Sequence, residues 1–300
     1  MYRNMNPSAL GVSGRQSEIL EIALTYRFKG IDIDVLDLTR RAKVTSVENA
    51  CKYLVSAKVK IGGFEAPARW RGAEADFKAD LNDLPAVGEV CKAIGADVCH
   101  TIVSPTSDTL PLPENFKFHA QRLTELAEGL KTQGIKLAVG FQAAPDLRNP
   151  NAPHQFIHNS DAMLELLSAI HSDNAGLLLD VWNWHVGGGK LSQIKALKPG
   201  QVASVRLADV APDADLSTIT SSDRMLPGDG NVEDAAGYLA LLDQIGYTGP
   251  ITPFPHPSQF AGRTRESNVQ RAAAALDALW VAAGLTKAVA PPTPPPPAKV

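Results

Sequence analysis

The stretch LLLDVWNWH, residues 177–185, places three leucines directly before an acid and a group of aromatic, amide and imidazole side chains. Consecutive leucines are costly to expose to water, so they predict a strand that is buried on both faces. The C-terminal tip of this strand would carry polar and aromatic groups into a polar space: Asp180, Trp182, Asn183 and His185. Parallel α/β barrels present their chemistry in this way.

Short apolar segments alternate with amphipathic helical patterns about eight times along the chain. The predicted strands cover residues 9–12, 30–34, 58–64, 98–102, 136–141, 176–180, 202–208 and 250–254. Gly95, Gly134 and Gly246 follow helical patterns at predicted left-handed caps. Repeated strand–helix units require a parallel sheet. Eight strands without a GxGxxG motif favour an α/β fold of one closed (β/α)8 TIM barrel over an open dinucleotide-binding sheet.

The length fits one barrel followed by a tail. The chain has 300 residues, and a single barrel commonly fills about 250. We predict a barrel over residues 1–287 and a disordered proline-rich tail over residues 288–300, which contain the run PPTPPPP. An SH3-type ligand is the alternative interpretation of this run, and an inert tail is favoured.

Composition limits the partners and the compartment. With 29 basic and 32 acidic residues the formal net charge is −3, which offers no basic field for nucleic acid or an anionic membrane. Cys51, Cys91 and Cys99 lack metal-type spacing, which indicates free thiols in a reducing compartment. No apolar run approaches the roughly 20 residues of a membrane helix, and no signal peptide is apparent. We therefore predict a cytoplasmic protein with a small-molecule ligand.

Six motifs occur in order within residues 8–285: WRG (70–72), NFKFH (115–119), FIH (156–158), LLDVWNWH (178–185), RMLPGDGN (224–231) and GYTGP (246–250). As a set they resemble the sugar phosphate isomerase/epimerase family, whose members are xylose isomerase-like TIM barrels. The resemblance implies action on a carbohydrate. It also implies one divalent metal, which two vicinal oxygens of the sugar chelate while a glutamate moves a proton.

The family holds this metal with a glutamate, an aspartate, a histidine and a glutamate at the ends of strands five to eight. The resemblance places Gly140, Asp180, Arg206 and Phe254 at these positions, and Asn183 where a further histidine is expected. Glycine and phenylalanine have no donor atom, and arginine is a permanent cation. We therefore predict that the metal site is dismantled and that the protein uses no cofactor.

Arg206 suggests what replaced the metal. Its charge cancels that of Asp180, so we predict a bidentate ion pair between these two residues in the barrel mouth. A guanidinium can orient a hydroxyl, carboxylate or phosphate but is a poor Lewis acid, which favours binding or milder chemistry. A rebuilt metal site that uses Asp32, Asp34 and Glu65 is the less favoured alternative.

Other side chains are candidates for contact with a substrate. His185 and His256 are the predicted catalytic residues, because an imidazole near a strand end can titrate near neutral pH. For each histidine, a plain loop position is the alternative. One of the two tryptophans, Trp182 or Trp184, is expected to be packed instead of stacked on a sugar. The predicted substrate-binding residues are Asp180, Asn183, Arg206, Trp182, His100, Gln142 and Arg224.

Two functions remain open at this level. In the first, the chain is a pseudoenzyme that binds a small sugar-derived ligand, as a homo-oligomer or beside an active paralogue. In the second, it is a metal-independent isomerase, epimerase or lyase that acts on a keto-sugar with a histidine base and Arg206 as electrostatic stabiliser. The fold alone does not decide between them.

Overall fold

Eight parallel strands close into a barrel in the computed structural model, which describes residues 1–198, 200–230 and 232–286. In chain order the strands are β1 (Tyr2–Met5), β2 (Gly30–Asp32), β3 (Lys60–Glu65), β4 (Val98–Val103), β5 (Thr106–Ser107), β6 (Lys136–Phe141), β7 (His154–Gln155), β8 (Ala175–Asp180), β9 (Val202–Leu207) and β10 (Pro250–Pro253). The barrel order is β1-β10-β9-β8-β6-β4-β3-β2, and β5 pairs with β7 in a separate antiparallel ribbon. The predicted (β/α)8 fold is confirmed.

Helices connect successive strands and cover the outside of the barrel. They are α1 (Gln16–Thr25), α2 (Val35–Val44), α3 (Val47–Ala57), α4 (Glu74–Ile94), α5 (Leu112–Lys131), α6 (Ser160–Ala169), α7 (Val181–Val186), α8 (Leu191–Lys195), α9 (Val232–Gln244) and α10 (Arg265–Ala282). Gly95 ends α4 at φ +68°, and its N–H donates to the carbonyl of Cys91, as predicted for a left-handed cap. Within the described ranges, no helix is both long and apolar enough to cross a membrane.

The first strand was predicted in the wrong place. Residues 9–12 form a turn, in which Leu10 and Val12 both donate from their N–H to the carbonyl of Pro7. Gly11 has φ +63°, which an extended strand cannot accommodate. The actual strand, Tyr2–Met5, carries Asn4 fully buried, and this polar residue hides the strand from an apolar pattern.

Part of the barrel interior is apolar. Ala138, Leu178 and Ala203 form a small buried cluster, and Val98 and Ile102 pack against it. The larger core lies between the strands and the surrounding helices. Polar inward-facing groups are thereby concentrated toward the C-terminal ends of the strands, where barrels of this type place their sites. The predicted tail, residues 288–300, lies outside the described residues.

Candidate functional site

A cavity of about 780 Å³ opens at the C-terminal ends of β2, β3, β4 and β9. This volume lies within the roughly 300–1,000 Å³ typical of small-molecule sites. Polar and aromatic groups of its lining come from five different barrel strands or the residue after one: Asp32, Glu65, His100, Arg206 and Phe254. Three of these five side chains carry a formal charge, so the cavity combines acids, a cation and an aromatic face.

Arg206 is the cation of this cavity. It extends from β9, is only 5 % exposed, and places its Nη2 3.4 Å from Oε1 of Glu65. Its guanidinium carbon lies 4.1 Å from the centre of the Phe254 ring. The Nε atom is buried without a hydrogen-bond partner among the described residues. The side chain is therefore a fixed positive group stacked on an aromatic ring, with donor capacity that its neighbours leave unused.

His100 supports Arg206 from β4. Its Nδ1 lies 3.4 Å from Nη2 of Arg206, and its Nε2 lies 3.0 Å from Oγ of Ser204. Because a guanidinium can only donate, we assign Nδ1 as the acceptor and the ring proton to Nε2. Burial, together with the charge of Arg206, holds the pKa of His100 well below its usual value. His100 is therefore neutral at physiological pH.

Asp32 ends β2 beside this pair, and two amides hold its carboxylate. Oδ1 accepts from Nδ2 of Asn4 at 2.6 Å, and Oδ2 accepts from Nδ2 of Asn6 at 2.8 Å. Burial raises the pKa of Asp32 to about 6, although both amides and the charge of Arg206 act in the opposite direction. The carboxylate therefore titrates close to neutral pH.

Glycines on β3 make room for these side chains. A Cβ on Gly62 would lie 2.1 Å from Oδ1 of Asn4, and one on Gly63 would lie 2.2 Å from Cε1 of His100. Both distances are far below van der Waals contact. The positions of the asparagine and the imidazole therefore require that β3 carries no side chain at these two residues.

The predicted ion pair between Asp180 and Arg206 is wrong. The two residues are in register on β8 and β9, but Arg206 pairs with Glu65, and Asp180 accepts from Nη2 of Arg224 at 2.7 Å. The other oxygen of Asp180 accepts from the backbone N–H of Asn183 at 3.1 Å and caps α7. Arg224 reaches Asp180 from the loop after β9. The charge of Asp180 is therefore balanced by Arg224 and not by Arg206.

Two of the predicted substrate-binding residues have structural contacts. Trp182 is 1 % exposed in the main core, and the guanidinium carbon of Arg224 lies 5.0 Å from its ring centre. Oδ1 of Asn183 accepts from the backbone N–H of Ala143 at 3.0 Å, which ties α7 to the loop after β6. Gln142, in the same loop, is partly buried and does not line the 780 Å³ cavity. Their roles in ligand binding stay predictions.

The two predicted catalytic histidines lie away from Arg206. His185, on α7, lines a separate cavity of about 180 Å³ together with Trp182 and Tyr238. Nδ1 of His256 lies 2.8 Å from Oγ of Ser258. His256 is the N-cap residue of the short helical turn Pro257–Phe260. Neither imidazole lines the larger cavity. The structure does not bring them to the charged cluster, and their catalytic role stays a prediction.

The first three motifs that carry the family resemblance converge on one aromatic cluster. The ring centres of Trp70 and His119 are 5.0 Å apart, and those of His119 and Phe156 are 4.7 Å apart. Trp70 Nε1 donates to Oγ1 of Thr101 on β4 at 2.8 Å. Burial lowers the pKa of His119 to about 4, so it is neutral at physiological pH and packs as part of the wall beside β4.

The side chains at the family's metal positions do not fit a divalent ion. These positions lie on β6, β8, β9 and β10, the fifth to eighth barrel strands. Gly140 faces Ile102 and Leu178, with 3.0 Å and 3.1 Å left for a Cβ. Arg206 supplies a cation, and the one acid, Asp180, is already paired with Arg224. Hard ions need several oxygen or nitrogen ligands.

The carboxylates of the alternative site, Asp32, Asp34 and Glu65, line the same cavity but do not form a set of metal ligands. Oδ1 of Asp34 accepts from the N–H of Asp37 and caps α2, so one oxygen of this carboxylate is already engaged. Among the described residues, no group of three or more His, Cys, Asp or Glu side chains could hold an ion. Asn4, Asn6 and Ser204 were not predicted. Asn4 lies in β1 and Asn6 just after it, so the two asparagines are spaced like residues on one face of a strand. This spacing was the signal that the sequence offered.

Comparison with known proteins agrees with this architecture. The family model for the xylose isomerase-like TIM barrel matches residues 21–279, and the chain belongs to that family. It is similar to inosose isomerase of Bacillus velezensis, with 21% identity over 87% of this chain and 90% of that protein. The match to inosose isomerase of Bacillus subtilis has 23% identity and covers 64% of this chain and 66% of that protein.

A solved structure shows the same fold. A xylose isomerase domain protein from Alicyclobacillus acidocaldarius superimposes with a TM-score of 0.85 at 20% identity, over 95% of this chain and 99% of that one. At this identity the agreement concerns the fold alone, and the chemistry of the site depends on the side chains of this chain.

Proposed function

We propose that the mouth of this barrel binds a small, neutral, polyhydroxylated ligand derived from a sugar, without a divalent metal at the family's ligand positions. The observation that carries the proposal is the place of Arg206. Its guanidinium is stacked on Phe254 and bonded to Glu65 at the base of the 780 Å³ cavity. A fixed cation in this position repels a metal ion and can donate to ligand oxygens.

The lining of the cavity supports a polyol as the ligand. Carboxylates such as Asp32 and Glu65 accept hydrogen bonds from hydroxyl groups, and Arg206 donates to hydroxyl or carbonyl oxygens. The Phe254 ring adds a flat apolar face of the kind that packs against the C–H face of a sugar. Two proteins that this chain resembles are named inosose isomerases, and an inosose is a cyclic polyol ketone.

The charge of the cavity favours a neutral ligand over a phosphorylated one. Its lining includes Asp32, Asp34, Asp37 and Glu65 against two arginines, Arg41 and Arg206. Fixed negative charge near the mouth disfavours a dianionic phosphate. We therefore expect neutral keto-sugars and inososes to bind more tightly than their phosphates.

Calorimetric titration in the presence of EDTA tests the proposal. Wild type should bind a neutral keto-sugar or an inosose, Arg206→Ala should bind it at least tenfold more weakly, and Arg40→Ala, an exposed arginine on α2, should match wild type. Binding that needs added Mn²⁺, or equal binding by Arg206→Ala, would count against a metal-free site centred on Arg206.

One observation favours the second function, a metal-independent enzyme. The cavity holds an acid of raised pKa, Asp32, near a buried cation, and such pairs are typical of catalytic sites. A metal-free site for a neutral polyol is compatible with this second function, because the same cavity would bind the substrate.

A further inference from the structure

The amides of Asn4 and Asn6 fix Asp32 on the side of the barrel opposite Asp180. β2 and β8 are four strands apart in either direction around the closed barrel. Nδ2 of Asn4 also donates to Oγ1 of Thr252 at 2.9 Å, so β1 and β10 together hold the group that orients Asp32. Each carboxylate oxygen accepts one of these bonds and keeps a second acceptor site. Asp32 is therefore held in one orientation while it can still reach a ligand.

The other polar groups of the cavity are less suited to move a proton. His100 has both ring nitrogens engaged, one with Ser204 and one with Arg206. Glu65 lies 75 % exposed and is paired with Arg206. Asp32 is a half-buried acid that is held by neutral donors and is subject to the positive field of Arg206.

We infer that Asp32 is the catalytic base of a metal-independent enolisation, in which Arg206 receives the ligand's carbonyl oxygen. The inference rests on the proposed function, because it uses the same cavity. It places the base on β2, whereas the ligand positions that the family resemblance supplies lie on β6, β8, β9 and β10, and only Arg206 occupies one of them.

The proposed step is balanced within the site. The Asp32 carboxylate takes the proton from the carbon beside the ligand's carbonyl group. The C–H electron pair becomes the new C=C bond, and the carbonyl π pair moves to oxygen, where Arg206 stabilises the enolate. Reversal returns a proton from Asp32 to carbon. Because protonated Asp32 exchanges with water, the net observable is exchange of that hydrogen with solvent, without any oxidant or reductant.

Proton NMR in D₂O with EDTA tests this step, with D-fructose and an inosose as probes. We expect wild type to exchange the hydrogen beside the carbonyl of at least one probe. Asp32→Asn should exchange it at least a hundredfold more slowly and still bind that probe in calorimetry. Asp173→Asn, which changes an exposed acid paired with Lys131 before β8, is the matched control and should exchange like wild type.

The pH dependence of the exchange rate distinguishes a catalytic role of Asp32 from a purely structural one. The titratable or charged groups around Asp32 are Glu65 on β3, His100 on β4 and Arg206 on β9. Asp34 lies two residues after Asp32 in the chain. Of these His100 is already neutral and Arg206 stays charged. Exchange should therefore rise as pH passes through about 6, the pKa of Asp32. Asn6→Ala removes one donor to the carboxylate, so it should move this midpoint upward.

The outcomes separate the two proposals. Binding of a probe without any exchange by wild type would overturn the role of Asp32 and leave the binding site intact. Exchange by Asp32→Asn at the wild-type rate would overturn it as well. If none of the neutral sugars binds, the proposed function itself fails, and the role of Asp32 fails with it.

Discussion

Nη2 of Arg224 lies 2.7 Å from Oδ2 of Asp180, and both side chains are nearly inaccessible to solvent. The same arginine donates from Nε to the carbonyl oxygen of Phe254 at 3.1 Å and lies over the ring of Trp182. The one acid that survives from the family's metal ligands is therefore committed to a structural contact between the loop after β9 and the end of β8.

Arg224→Ala should lower the free energy of unfolding by about 3–5 kcal/mol, because it strands a buried carboxylate and removes packing on Trp182. Chemical denaturation at neutral pH measures the loss. Arg40→Ala, which removes an exposed arginine, should change stability by less than about 0.5 kcal/mol. A loss below about 1 kcal/mol in Arg224→Ala would show that water solvates Asp180.

Arg206→Ala should cost less stability than Arg224→Ala, on the order of 1–2 kcal/mol, because its acidic partner can be hydrated once the arginine is gone. That partner, Glu65, is 75 % exposed. The structure thus reverses the ranking that an Asp180–Arg206 pair would give. Equal losses in the two variants, measured under one set of denaturation conditions, would contradict the assignment of partners.

Wild type should show no stoichiometric Mn²⁺ binding in calorimetric titration. Restoring the family's side chains by Gly140→Glu, Asn183→His, Arg206→His and Phe254→Glu should improve affinity only modestly, since Arg224 still occupies Asp180. Adding Arg224→Ala to these four changes should give the larger gain, because it frees the carboxylate as a ligand.

Two controls accompany this titration. Gly140→Glu alone should be destabilising, since its Cβ would crowd Ile102 and Leu178. Arg224→Ala alone should bind Mn²⁺ no better than wild type, because one carboxylate does not hold the ion. One tightly bound Mn²⁺ per wild-type chain would refute the argument from ligand chemistry.

Asp32→Asn should become more stable relative to wild type as pH rises. Burial raises the pKa of Asp32 from 3.8 to about 6, so the protonated acid favours the folded state and that contribution is lost between about pH 4 and pH 6. Asparagine does not ionise. The difference in unfolding free energy should therefore shift by on the order of 1–3 kcal/mol in favour of the variant between pH 4 and pH 8.

Asp173→Asn supplies a control of opposite sign. A hydrogen bond from Lys131 lowers the pKa of Asp173, so wild type gains stability from this acid above its usual pKa and the variant does not. Denaturation curves at several pH values compare the two variants. A pH-independent difference between Asp32→Asn and wild type would mean that the Asp32 carboxylate is well hydrated in the folded protein.

The strands could be predicted where both faces are buried in apolar surroundings. β8 and β9 have all or nearly all of their residues buried, and their leucine and valine runs were visible in the sequence. β1 was missed because a barrel can bury an inward-facing asparagine, Asn4, when Asp32 and Thr252 accept from its amide. Hydrophobic patterns carry no information about such long-range polar partners.

The candidate site could be predicted only as a set of strand ends. Arg206 was identified from the family resemblance and His100 from its place in an apolar strand, and both line the cavity. The choice of ionic partner was not predictable, since Asp180 is in register with Arg206 yet pairs with Arg224. That choice depends on where the loop after β9 folds back, which local sequence does not determine.

The two glycines of β3 set a limit on how this site can change. Adding even a single carbon at residue 62 or 63 would collide with Asn4 or His100. Loss of either contact would release Asp32 or the imidazole that supports Arg206. A library that aims to alter ligand preference should therefore keep both glycines and vary the outer wall, where Ser8, Gln16 and Leu36 line the cavity. New specificity is accessible there without dismantling the charged base.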